Sequence, residues 1–205
     1  MQNPIQVKEI NLDLERLKRD CRRINTKVCK TWGDAEVATD RTYQATLADQ
    51  LSSAPKSSRL HDYYNVFTFP YDGINELYRE VCIAFNEINT YNEPYYVHAW
   101  LNYQNKGESI PWHYHWGKLS GLHKTFVCSY YVNAEPSVTT YKFPEATYPM
   151  QAKNNTITIY EDVGDIHMVD VWQGDEPRIS ISMDFVPMKY IQGSPFPLNT
   201  WMPVV

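Results

Sequence analysis

The sequence lacks several signals that would place it quickly. None of its four cysteines (Cys21, Cys29, Cys82 and Cys128) forms a CxxC pair, which argues against a zinc knuckle. It lacks a basic excess: 19 Lys and Arg face 24 Asp and Glu, a net charge of −5, so nucleic acid is an unexpected partner. No apolar run approaches the roughly 18 residues of a membrane span. Residues 1–20 contain no apolar signal core, so a cytoplasmic protein with reduced thiols is expected. Internal repeats and low-complexity tracts are absent too. What remains is a globular composition, 43% apolar and 21% charged, of a length that suits one structural domain. Aromatics are plentiful at 14%, with 16 Tyr and 6 Trp, a bias that favours strands and lined pockets.

The pattern changes near residue 90. Residues 1–90 read as a helical support region. Asn11 to Asn25 carries Leu12, Leu14, Leu17, Cys21 and Ile24 among charges, an amphipathic helix pattern. Its basic stretch between Lys18 and Lys27 reads as a solvated face. Thr42 to Leu51 is a shorter helix candidate, and Ser52 to Ser58 reads as a loop. His61 to Pro70 resembles a strand. A helix starts near Asp72, the expected N-cap, with Ile74, Leu77, Tyr78, Val81, Phe85 and Ile88 on one face.

Residues 91–190 switch to a strand-like period. Segments near 95–104, 124–133, 138–143, 156–160, 166–172 and 177–187 are rich in Val, Ile, Thr, Tyr and Phe. Breakers such as NAEPS, FPEATYP and GDEP separate them, with no helix between. That order predicts an antiparallel sandwich or barrel with helices packed on one sheet. Residues 191–205 form a proline-containing tail, expected to drape over the surface and, if exposed, to serve a homodimer.

Six histidines are present, and three stand out. His113 and His115 lie in PWHYHW, and alternate residues of an extended chain point to one face. His167 follows 52 residues after His115 on a late strand. Three imidazoles from separate strands suit Fe, Zn, Cu or Ni. Trp112, Tyr114 and Trp116 alternate with the pair and should face away. His61 and His98 read as structural, and His123 as an exposed turn residue. Arg178 and Ser180 share one face of the closing strand, where an inward arginine needs an anionic partner. A bound carboxylate, gripped by the guanidinium fork with help from the Ser180 hydroxyl, satisfies that need. The opposing reading is a surface ion pair of Arg178 with Asp175 or Glu176.

HxH, then a distant His, then RxS resembles the 2-oxoglutarate- and Fe(II)-dependent oxygenases. The resemblance covers roughly Val97 to Pro187, including PWHYHWGKLSGLHKTFVCSYYV and EPRISISMDF. It implies a double-stranded β-helix, the jelly roll shared with cupins. It further implies Fe(II) as metal and 2-oxoglutarate as cosubstrate, with hydroxylation of a small-molecule or protein substrate and release of succinate and CO2. His113 and His167 become metal ligands, while Arg178 and Ser180 bind the far carboxylate of the cosubstrate. Either Tyr130 or Tyr131 adds a hydrogen bond, and Tyr130 is the expected one. The chain departs from the family where a carboxylate ligand normally stands, because that position is His115. Three arrangements follow: a three-His site, a site completed by Asp165, or two protein ligands and a water. A cupin-type three-His enzyme without 2-oxoglutarate and a non-catalytic jelly-roll binding module are the competing readings.

Overall fold

The structure is a computed structural model that describes residues 3–33, 54–115, 124–191 and 200–205. The helix candidate at 42–51, Trp116 and His123 lie outside the described residues. Helix α1 (Leu14–Trp32) starts where the Asp13 side chain accepts a hydrogen bond from the Arg16 amide. It runs a full two turns beyond the amphipathic stretch at 11–25. Its buried stripe Leu17, Cys21, Ile24 and Val28 keeps helical spacing through that extension. Helix α2 (Lys56–Arg59) is one turn long. Helix α3 (Asp72–Ile88) takes Tyr71 as its N-cap, so Asp72 is the first helical residue and not the cap.

The expected strand at His61 to Pro70 is instead two 3₁₀ turns, His61–Tyr63 and Val66–Thr68. Asn65 explains the difference. Its side chain accepts from the Phe67 amide and donates to the carbonyls of Val97 and Thr200. A side chain that bonds its own backbone this way competes with strand pairing.

Among the described residues, ten strands follow the antiparallel plan: β1 (Gln6–Glu9), β2 (Tyr95–Gln104), β3 (Ile110–His113), β4 (Phe126–Asn133), β5 (Val138–Lys142), β6 (Thr147–Gln151), β7 (Thr156–Glu161), β8 (Ile166–Val169), β9 (Arg178–Pro187) and β10 (Met202–Pro203). A larger sheet has the order β1-β7-β4-β9-β2-β10, and a smaller one β3-β8-β5-β6. This is the jelly-roll layout. A further short helix, α4 (Met188–Ile191), follows β9. FPEATYP is less of a breaker than its composition suggests, because β6 begins inside it. Pro149 is tolerated there because β6 is an edge strand. The end of the tail is not a surface drape: β10 pairs with β2, and Trp201 is buried against Val186 and Ile191.

The central strands of the larger sheet, β2, β4, β7 and β9, are buried on both faces, and the two faces differ in chemistry. One face packs on α1 and α3 through Val97, Ala99, Leu101, Cys128, Tyr130, Ile157, Ile159, Ile179, Ile181, Met183 and Phe185. Phe85 of α3 stacks on Phe185 with ring centroids 4.2 Å apart and meets Phe126 edge-on at 5.3 Å. Such pairs add about 0.5–1.5 kcal/mol beyond the area they bury. The alternate residues face the smaller sheet and are largely polar. On β9 they are Arg178, Ser180, Ser182 and Asp184, all buried. The cysteines are free thiols, with Cys21, Cys82 and Cys128 buried. No described helix is long and apolar enough to cross a membrane.

Candidate functional site

His113 closes β3 directly opposite His167 of β8, so cross-strand pairing alone brings their rings to 4.2 Å between centroids. His115 lies two residues further on and reaches the same point, 4.9 Å from His167 and 5.4 Å from His113. One candidate ligand atom from each of the three lies within 4.8 Å of the others. All three residues are buried.

Each ring has its Nδ1 turned to an acceptor. His113 Nδ1 donates to the Pro111 carbonyl at 2.9 Å. His115 Nδ1 donates to Asp184 Oδ1 at 2.5 Å. His167 Nδ1 faces the Tyr160 hydroxyl at 3.5 Å and Asp165 Oδ2 at 3.8 Å. Nε2 is therefore the candidate ligand nitrogen of each. That of His115 is buried and has no hydrogen-bond partner among the described residues. A buried imidazole nitrogen left open beside two others, with outer acceptors setting the tautomer, is the donor set a metal ion needs. The residues present fit a divalent cation.

Asp165 does not complete the cluster. Its carboxylate accepts from the Tyr160 hydroxyl at 2.8 Å and stands on the Nδ1 side of His167, behind the ring. Its place at i and i−2 from His167 gives it the same general face but the wrong depth. It supplies no ligand atom to the group of three.

The charges inside this shell are uneven. Burial, followed by the neighbouring His167 and His115, holds His113 well below its ordinary value. Burial also lowers His167, against the opposing pull of the Asp165 carboxylate on its Nδ1 side. For His115 burial pulls down, but the charge and hydrogen bond of Asp184, with Asp162 and Asp165 further off, outweigh it and raise the value. Asp162 is pushed up to about 6, chiefly by burial.

Arg178 is 1% exposed. Its Nε donates to Ser137 Oγ at 2.7 Å and its Nη1 to Ser180 Oγ at 2.9 Å, and its guanidinium lies over the Tyr131 ring at 5.9 Å. No carboxylate pairs with it among the described residues. Asp175 pairs with Lys106 and Glu176 with Arg22, so the surface-pair reading is not the one the chain adopts. Arg178, Ser180, His113 and His167 line one cavity with Trp100, Asn102, Tyr131 and Ser182. Its free volume is about 20 Å³, room for about one water molecule, so a larger ligand enters only when the lining side chains shift.

Tyr130 is a correction. Strand alternation places it with Phe126, Cys128 and Val132 on the helix face, where its hydroxyl meets Asn155 Oδ1 at 2.5 Å. Tyr131 faces the cavity instead, next to Arg178. Its hydroxyl is 3.4 Å from that of Tyr141. Trp112 and Tyr114 are half-buried and do not line the cavity. His98 is a core histidine, lowered to about 4 by burial and then by His61, with Nδ1 on the Thr200 carbonyl at 3.2 Å. His61 places Nδ1 on the Ser58 carbonyl at 3.1 Å.

Several site residues escape sequence reading: Asp184, Tyr160, Ser137, Asn102 and Ser182. One signal was present. Arg178, Ser180, Ser182 and Asp184 alternate with Ile179, Ile181, Met183 and Phe185, a strand with one polar face. The polar face extends the Arg-x-Ser motif by two further positions.

Compared by sequence, the chain matches no protein-family model and no curated protein. Compared by fold, it is similar to a prolyl hydroxylase from Trichoplax adhaerens, solved with a hypoxia-inducible-factor oxygen-degradation-domain peptide. The TM-score is 0.61 at 10% identity, covering 94% of this chain and 87% of that one. A prolyl-4-hydroxylase from Pseudomonas putida gives 0.46 at 14% identity over 90% of this chain and 87% of that one. A 2OG-Fe(II) oxygenase family oxidoreductase from Burkholderia pseudomallei gives 0.45 at 12% identity over 55% of each chain. At such identities the likeness is one of fold.

Proposed function

We propose that this chain, which has the jelly-roll fold found in 2-oxoglutarate- and Fe(II)-dependent oxygenases, works as such an oxygenase. The observation that carries the reading is Arg178. A buried guanidinium with no carboxylate partner among the described residues is costly, and it stands on the wall of the cavity that His113 and His167 also line. A small dianion that meets the cation at one end and the guanidinium at the other satisfies both. Bound Fe(II) supplies the chemistry of dioxygen, with 2-oxoglutarate as reductant leaving as succinate and CO2 and the organic substrate hydroxylated.

The chain's own residues hold and orient. His113, His115 and His167 would hold the metal through Nε2. Arg178 and Ser180 would grip the far carboxylate, while Ser137 and the Tyr131 ring fix the guanidinium in place. Enclosure between two sheets keeps bulk water from both charges.

Anaerobic titration with Fe(II) and 2-oxoglutarate tests the reading. A visible metal-to-ligand absorption band that needs both components supports it. Among the described residues the histidine cluster contains no carboxylate, which favours a second reading, a three-His metalloenzyme that binds its substrate directly. That enzyme takes up Fe(II) and ignores 2-oxoglutarate. No metal uptake at all sinks both.

The electrostatics predict a pH profile. His115, raised above the ordinary 6.5, keeps its extra proton in the metal-free protein at pH values where lowered His113 and His167 are already neutral. That proton must leave before a cation binds. Metal affinity should therefore rise with pH, by up to about tenfold per unit below the His115 pKa, and level off above it. Competition titrations with a chelator from about pH 6 to about pH 8 read this directly. A flat profile would contradict it.

A further inference from the structure

We propose that Asp184 is a positioning residue that delivers, through His115, the negative charge a ligand set of three imidazoles lacks. The inference rests on the metal-centre reading above and deepens it.

Asp184 lies on the inner face of β9 at 3% exposure. Its Oδ1 accepts a hydrogen bond from His115 Nδ1 at 2.5 Å. A neutral acceptor is enough to orient an imidazole, and the site contains the comparison: His113 is oriented by the Pro111 carbonyl. A carboxylate in the same role is much more expensive, because a buried charge loses its hydration. That cost is offset when positive charge sits on the far side of the ring. A carboxylate hydrogen-bonded to a ligating imidazole draws the Nδ1 proton toward itself and raises the donor strength of Nε2. Nε2 of His115 is buried and has no hydrogen-bond partner among the described residues. The anionic charge thus stands one residue outward from the ligand shell. Asp165 stands similarly behind His167, but at 3.8 Å, so Asp184 makes the closer contact.

Zn(II) is the probe. Asp184→Asn keeps one acceptor oxygen for His115 in a side chain of the same shape, removes the charge and turns the other oxygen into an NH2 donor. The expected result is Zn(II) binding weaker by about 10–100-fold, measured by chelator competition. Unchanged Zn(II) affinity in a folded Asp184→Asn protein overturns the proposal, even if its thermal midpoint has fallen, since that pattern means a purely structural role. A second measurement needs no variant. Nitrogen-15 NMR of histidine-labelled, Zn(II)-loaded wild-type protein should show His115 metallated at Nε2 with a hydrogen-bonded Nδ1 proton far downfield. Metallation at Nδ1 overturns the proposal. Failure of the wild type to bind Zn(II) is a different result: it removes the metal-centre reading itself, and this inference with it.

Discussion

His167→Ala should abolish metal uptake. His167 is the residue through which β8 joins the cluster, and its ring is within 5 Å of both other imidazoles by centroid. Losing it leaves two nitrogens from one segment, too few to hold a cation against water and buffer. The clearest measurement is the thermal midpoint with and without Zn(II). A ligand at about a hundredfold its dissociation constant stabilises a protein by about 2.7 kcal/mol. For a chain of this size that is a rise of about 5–10 °C. The wild type should show the rise and His167→Ala should not. The metal-free variant should stay folded, because Tyr160 still donates to Asp165 and keeps that buried carboxylate partnered. A variant that still gains the full increment with Zn(II) would place the metal elsewhere.

Arg178→Met should separate binding from folding. Methionine roughly fills the space of the arginine stem but carries no charge. The two hydrogen bonds to Ser137 and Ser180 are worth about 1 kcal/mol each. Against that loss, an unpaired buried charge disappears, which by itself stabilises the fold. The ligand-free stability should therefore stay close to wild type, within about 2 kcal/mol. Carboxylate binding should behave quite differently. Removing one partner of a buried, hydrogen-bonded charge pair costs about 2–5 kcal/mol, which is about 30-fold to several thousandfold in affinity. Calorimetric titration of 2-oxoglutarate into the Zn(II)-loaded variant reads that loss, with metal binding retained. Wild-type affinity for 2-oxoglutarate in Arg178→Met would remove Arg178 from the site.

The two variants bear on the parts of the site that were most visible in the chain. HYH puts two imidazoles on one side of any extended segment, whatever the fold. The last strand alternates so regularly that Arg178, Ser180, Ser182 and Asp184 must share a face wherever that strand lies. Periodicity also marked the major strands and both long helices. It failed where a side chain overrode backbone pairing, as Asn65 does at 61–70, and at edge strands such as β6, too short and too mixed to show a period. The choice between Tyr130 and Tyr131 was undecidable along the chain, since both are aromatic and adjacent.

Local pattern, then, determined which side chains travel together: period two for the strands, the helical period for α1 and α3, and residue chemistry for what each face carries. It was silent on which face is covered by what. A polar strand face reads the same whether it meets solvent or a second sheet. Only the stacking of β3-β8-β5-β6 over the larger sheet turned that face inward, set His167 opposite His113, and brought Asp184 against His115. Those contacts join residues more than fifty positions apart, and long-range closure is a property of the packed sheets, not of any segment within them.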